Sequence, residues 1–170
     1  EILIRSASDL ISLDNPNYQY VAARLLLYAI RKSLYGRLWE LPHLYDHITD
    51  CIEKDVYDAD ILVKYTREEI ETLNDVIDHG RDFIFTYAGL RQVADKYLVQ
   101  DRSSGKVYET PQFMYLLIAM TIFADYPQET RLDYVTRYYT AISKHRINIP
   151  TPIMGGVRTP LRQFASCVLV

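Results

Sequence analysis

Few residues in this chain have the types and spacing that chemistry requires. His43 and His47 lie four positions apart with Asp46 between them, so on a helix the two imidazoles would share one face, as in a two-histidine metal site. Pro42 makes His43 a first-turn residue, however, and no glutamate follows it as the zinc-protease pattern demands. We therefore favour a solvated helix start over a metal centre at this place.

Another histidine and several tyrosines have structural explanations. His79 lies where one predicted helix ends and another begins, which favours a capping role. Tyr134, Tyr138 and Tyr139 fall in a predicted helix, where a tyrosine can bury its ring and leave its hydroxyl in water. The sequence offers no glycine-rich phosphate loop and no evident set of Ser, His and Asp.

The segment 149–160 and the cysteine beyond it are the strongest chemical candidates. The segment holds three prolines and two glycines, from which we predict a loop with extended pieces and no helix. Backbone amides around Thr151 and at Gly155 and Gly156 could bind an anion. Cys167 begins an apolar run, a position where sheet and barrel enzymes place functional groups, although packing is the commoner role of a buried cysteine.

Charge and hydropathy exclude two classes of partner. The 170 residues carry 19 Lys and Arg against 22 Asp and Glu, so no basic field is available for nucleic acid. The longest apolar stretch, 113–124, has 12 residues where a bilayer crossing needs about 20, which predicts a buried helix and no membrane partner. The sequence shows no targeting segment, and its two cysteines form no disulfide framework, so we expect a reducing, cytoplasmic location.

Helices must position the candidate residues. Thr66 and Glu69 form a capping box, in which each side chain bonds the backbone amide of the other, and this predicts a helix start. Pro111 and Pro127 stand at the first turns of two further helices, the second over 128–143. The fold class is therefore mainly α.

Strand patterns are confined to two places. Residues 97–100 and 106–109 flank a glycine-containing turn and predict one small β-hairpin. The apolar run 167–170 predicts a strand buried on both faces, which needs neighbouring strands for its backbone hydrogen bonds. Because the chain also starts at Glu1, without Met and inside a helical pattern, we expect it to be a segment of a longer polypeptide.

Several stretches, in order, resemble the large subunit of class I ribonucleotide reductase. The most specific is 150–169, PTPIMGGVRTPLRQFASCVL, which resembles the lead into the first strand of that subunit's catalytic barrel. Upstream, 82–97 and 126–132 resemble its helical N-terminal domain, and 18–25, YQYVAARL, resembles the end of its ATP-cone.

The resemblance implies three divisions of the chain. Residues 1–35 would be the C-terminal end of an ATP-cone-like regulatory domain, and 36–146 a helical domain with one small β-hairpin. Residues 147–170 would be the loop and the first strand of a truncated α/β ten-stranded barrel. The partner cysteine, the radical-bearing cysteine and nearly the whole barrel are missing, so we expect this segment alone to be inactive.

The resemblance also implies an activity and its partners. The parent enzyme would reduce ribonucleoside diphosphates to deoxyribonucleoside diphosphates, with no cofactor bound directly and a radical supplied by a metal-containing small subunit. Allosteric effectors of the ATP and dATP type would regulate it. The partners would be the rest of the large-subunit chain, the small subunit, thioredoxin or glutaredoxin, and the nucleoside diphosphate substrates.

Four residues match functional positions of the family. Cys167 matches a catalytic, redox-active cysteine that forms a disulfide with a second cysteine far along the chain. Thr151, Ser166 and Cys167 match substrate-binding positions, and Lys32 matches a lysine that contacts the effector nucleotide. The alternative is a non-catalytic helical interaction module in which Cys167 only packs.

Overall fold

The computed structural model describes residues 1–161 and 164, and these are mainly helical, as predicted. The helices and strands are α1 (Ile2–Asp9), α2 (Tyr18–Tyr35), α3 (Leu44–Glu53), α4 (Asp60–Lys64), α5 (Arg67–Val76), a 3₁₀ helix (His79–Ile84), α6 (Tyr87–Lys96), β1 (Gln100–Asp101), β2 (Lys106–Val107), α7 (Pro111–Ile122), α8 (Gln128–Ser143) and α9 (Thr151–Gly156). The expected barrel strand over 167–170 lies outside the described residues.

Local signals set several of these boundaries. Thr66 Oγ1 accepts a hydrogen bond from the Glu69 amide at 3.3 Å, and Glu69 Oε2 accepts one from the Thr66 amide at 2.8 Å, so the capping box of α5 is confirmed. The antiparallel hairpin is also confirmed, with a ladder of two residues per strand. Its turn contains Gly105, whose φ of +70° is a conformation that glycine adopts without steric cost.

Helix α7 is the centre of the core. Every residue from Pro111 to Met120 is buried, which confirms the buried helix predicted from the apolar stretch. Helix α8 packs along α7 and also contacts α5, while α2 packs against α1 and α6, and α3 packs against α5. A helix that is apolar on all sides is stable only when other elements surround it.

The prediction of a loop without helix over 149–160 is wrong. Thr151–Gly156 forms the short helix α9, with Pro150 at its N-cap and Pro152 within its first turn. Amides of the first turn have no acceptor inside a helix, so a proline there sacrifices no hydrogen bond. Gly155 and Gly156 lie inside this helix and do not form the open anion-binding loop that their sequence suggested.

Three buried ion pairs join elements that are far apart in the described sequence. They are Arg31–Asp82, Glu69–Arg131 and Glu109–Arg158. Of the three, only the last ties α9 to the rest of the fold, and both of its side chains are fully buried. Within the described ranges, no helix has both the length and the apolar character that crossing a bilayer requires.

Candidate functional site

Thr151 lies on the edge of a cleft of about 710 Å³. The side chain is exposed at the first position of α9, and its Oγ1 lies 3.4 Å from the hydroxyl oxygen of Tyr97, just beyond the end of α6. Hydrogen bonds with Thr151 and Gln92 lower the pKa of Tyr97. The end of α6 and helix α9 form two walls of the cleft, and the contact between the Tyr97 and Thr151 hydroxyls joins them.

The cleft has an apolar floor and an uncharged polar rim. Phe85, Val93 and Met154 are among the apolar lining residues, and Gln92, Asn148 and Thr151 are among the polar ones. No Lys or Arg belongs to the described lining, and burial lowers the pKa of the lining residue His145, so a phosphate group at this edge would be held by hydroxyl and amide groups rather than by ion pairs.

Arg158 does not line the cleft, but its buried side chain bonds the backbone of two residues that do. Its Nε donates to Glu109 Oε2 at 2.9 Å, and its Nη2 donates to Glu109 Oε1. The same guanidinium donates from Nη1 to the Met154 carbonyl at 2.6 Å and from Nη2 to the Tyr97 carbonyl at 2.9 Å. Burial by itself would lower the pKa of Arg158, but the attraction and hydrogen bonds of Glu109 raise it above its usual value. The arginine therefore stays charged between the two walls.

Glu109 is held by further donors on its other side. Its Oε1 accepts from the Val99 amide at 2.7 Å, and its Oε2 accepts the Tyr57 hydroxyl proton at 2.5 Å. Because that hydroxyl has only one proton, His47 must donate from Nε2 to the Tyr57 oxygen, 3.0 Å away. We call Arg158, Glu109, Tyr57 and His47 the buried network.

The two histidines four positions apart have different environments. His43 caps α3 through Nδ1, which accepts from the Tyr45 amide at 3.4 Å, and its Nε2 lies 2.9 Å from Glu71 Oε2. His47 is 2% exposed and stacks on Phe113, so the prediction of a solvated helix start is wrong for His47. Burial lowers the pKa of His47 to about 3. In the described part of the chain, no three His, Cys, Asp or Glu side chains are grouped as metal ligands.

Two other structural explanations require correction. The cap of the 3₁₀ helix is Asp78, whose Oδ1 accepts from the Gly80 amide at 3.0 Å, and not His79, whose ring lies edge-on to Phe113. Tyr139 is fully buried, and its hydroxyl donates to Gln112 Oε1 at 2.8 Å instead of facing water. Both side chains belong to the packed interior rather than to a site.

The remaining candidates are separated or lie outside the described residues. Lys32 is exposed in the last turn of α2 and does not line the cleft that contains Thr151. Ser166 and Cys167 lie outside the described residues. Cys51 is buried against the Tyr108 carbonyl, and burial raises the pKa of its thiol to about 12.

Sequence reasoning missed the buried network. One signal was present, because Arg158 is the only charged residue between positions 147 and 161. If an otherwise uncharged segment packs into the interior, its one charged side chain has to be paired there. Its partner could not be found in the same way, because Glu109 is 49 positions away.

The chain is similar to proteins of one enzyme class, the ribonucleotide reductases. Residues 83–162 match the family described as "Ribonucleotide reductase, all-alpha domain". Over all 170 residues the chain is 52% identical to the ribonucleoside-diphosphate reductase subunit alpha of Haemophilus influenzae and 52% identical to ribonucleoside-diphosphate reductase 1 subunit alpha of Escherichia coli K12. It is 48% identical over 169 residues to the subunit alpha of Enterobacteria phage T4.

The chain is similar over its entire length to ribonucleotide reductase alpha subunits, which confirms the resemblance seen in its sequence. It spans 22% of the length of each of these three relatives.

Proposed function

We propose that this chain is part of a ribonucleoside-diphosphate reductase large subunit that reduces ribonucleoside diphosphates to deoxyribonucleoside diphosphates. The observation that carries the proposal is the alignment of the entire chain with relatives named for this activity, at 52% identity. The geometry supports it with an open cleft that has an uncharged polar rim at Thr151.

In this proposal, Cys167 and a second cysteine elsewhere in the polypeptide supply the electrons. Replacing the ribose hydroxyl with hydrogen consumes two electrons and two protons and releases water. The two thiols provide the two electrons and the two protons and become a disulfide, which thioredoxin or glutaredoxin reduces again by thiol exchange. A radical from a metal-containing small subunit starts the chemistry. A dithiol that must be reduced after each turnover is suited to the cytoplasm.

Binding roles follow for three further residues. Thr151 and Ser166 contact the substrate, for which their hydroxyls and backbone amides provide hydrogen bonds. Lys32, exposed at the end of α2, contacts an effector nucleotide of the ATP or dATP type.

The chain is divided into a regulatory end over 1–35, a helical domain over 36–146 and the barrel entry over 147–170.

The test uses the full-length large subunit that contains this segment, together with its small subunit. Cys167→Ser should abolish turnover with thioredoxin as reductant, whereas Cys51→Ser should retain it, because Cys51 is packed against a backbone carbonyl. Turnover by Cys167→Ser that equals the wild-type rate would remove the redox role. Loss of the ATP and dATP responses in Lys32→Ala would support the effector role, and unchanged responses would contradict it.

A second experiment separates the enzyme from a helical interaction module. The 170-residue chain is mixed with a polypeptide that carries the remaining barrel and with the small subunit, and reduction of a nucleoside diphosphate is assayed with dithiothreitol. Activity that requires both pieces supports the proposal. A stable complex without activity would favour the interaction module.

A further inference from the structure

We infer that Arg158 is a positioning residue that sets the distance between the two walls of the substrate cleft and so places Thr151. The inference rests on the proposed substrate role of Thr151. It concerns a residue that does not itself line the cleft.

The guanidinium of Arg158 connects three elements. Nη1 bonds the Met154 carbonyl in α9, Nη2 bonds the Tyr97 carbonyl beyond α6, and the carboxylate of Glu109, between β2 and α7, accepts from both Nε and Nη2. Thr151 and Tyr97 also touch each other through their hydroxyls. Both residues of that contact are therefore connected to the Arg158 guanidinium. Tyr97 is bonded to it directly through its carbonyl, and Thr151 is connected to it through one turn of α9, by way of Met154.

The other end of this connection is rigid. Glu109 accepts hydrogen bonds from the Val99 amide and the Tyr57 hydroxyl in addition to Arg158, so it has no freedom to follow a displaced arginine. The backbone of Arg158 is held as well, because its carbonyl accepts from the Asp58 amide at 3.0 Å. The position of Arg158 is thus determined by the core.

Helix α9 depends on this support. It has six residues, far fewer than an isolated helix needs for stability in water. Lysine could keep the charge opposite Glu109, but a single ammonium cannot reproduce the planar fork of donors that reaches all three acceptors. Arg158→Lys should therefore loosen α9 without removing the ion pair.

The experiment compares Arg158→Lys with Arg131→Lys in the full-length large subunit. Arg131 is a matched control because it also makes a buried two-point contact with a glutamate, Glu69, and it contacts neither α9 nor the cleft. We expect Arg158→Lys to raise KM for the nucleoside diphosphate about tenfold with a smaller change in kcat, which is the loss of about one good hydrogen bond to bound substrate. Arg131→Lys should leave KM unchanged.

Hydrogen exchange provides a readout independent of turnover. The amides of Ile153, Met154 and Val157 bond within α9 and should exchange about tenfold faster in Arg158→Lys, while α7 amides keep their wild-type rates. Should Arg158→Lys not fold, Arg158→Met combined with Glu109→Gln removes both charges and leaves an acceptor for Val99 or Tyr57. Equal KM values in the Arg158 and Arg131 variants, or unchanged exchange in α9, would overturn the inference.

Thr151→Ala separates this inference from the proposed function. If Thr151→Ala raises KM but the Arg158 variant does not, the substrate role stands and the positioning role is wrong. If Thr151→Ala leaves KM unchanged, the substrate role of Thr151 is wrong, and the positioning role falls with it.

Discussion

His47 should make the fold lose stability as the pH falls from 7 to 5. The imidazole is stacked on Phe113 with ring centroids 4.0 Å apart, and Nε2 donates to Tyr57 in the buried network. A protonated ring would bring a positive charge into this interior. Burial therefore lowers the pKa of His47 from its ordinary 6.5 to about 3.

The sign and the size follow from these two pKa values. A group whose pKa is lower in the folded state contributes stability that is present above its unfolded pKa of 6.5 and is lost as the pH falls towards about 3. At pH 5 the unfolded chain holds nearly one more proton at this position than the folded chain. Integrated from pH 7 to pH 5, that difference costs about 2 kcal/mol.

Urea unfolding of the 170-residue chain and of His47→Gln, at pH 7 and pH 5, checks this value. Glutamine can still donate to Tyr57, but it does not titrate. The comparison between variants is essential, because burial raises the pKa of Asp82 to about 6, and that carboxyl adds stability as the pH falls through the same window. His47→Gln should lose about 2 kcal/mol less than the wild type. Equal losses in both proteins would refute the reasoning.

Three further predictions concern local features. Thr66→Ala removes the hydroxyl that caps α5 and should lower the free energy of unfolding by about 1 kcal/mol in a urea titration, with no change there contradicting the capping role. Gly36 has a φ of +70°, so Gly36→Ala should lower the free energy of unfolding by about 1 kcal/mol. Gly155→Ala, inside α9, should be neutral or stabilising, because a Cβ there would have no described atom within 4 Å apart from its chain neighbours and the backbone of α9; the reverse order would contradict this conformational argument. Cys51 should resist alkylation by iodoacetamide at pH 7 until the chain is unfolded, because burial raises the pKa of its thiol to about 12. Mass spectrometry after brief labelling tests this, and rapid alkylation of the folded chain at Cys51 would contradict it.

The sequence predicted those features whose causes are local. Thr66 and Glu69 are three positions apart, and the chemistry of their capping box requires nothing else. The same holds for Pro127, which precedes α8 with the predicted bounds of 128–143. The stretch of α7, apolar except for Gln112 and Thr121, predicted burial because no polar face was present to meet water.

Features that depend on distant partners could not be predicted. His47 and Tyr139 were both expected to reach water, but their polar atoms bond Tyr57 and Gln112, and nothing in the local pattern specifies those contacts. The proline-rich segment was misjudged for a related reason, since α9 is supported from outside by Arg158. Of the predicted site residues, Thr151 lies at a cleft, while the roles of Ser166, Cys167 and Lys32 stay predictions.

The three buried ion pairs also restrict how such a sequence can change over time. Losing one member of the Glu109–Arg158 pair leaves an uncompensated buried charge, at a cost of about 3–5 kcal/mol, whereas replacing both members with apolar residues of similar volume can be neutral. A route through either single mutant would therefore be disfavoured. Among descendants of a common ancestor, positions 109 and 158 should covary, and so should 31 with 82 and 69 with 131.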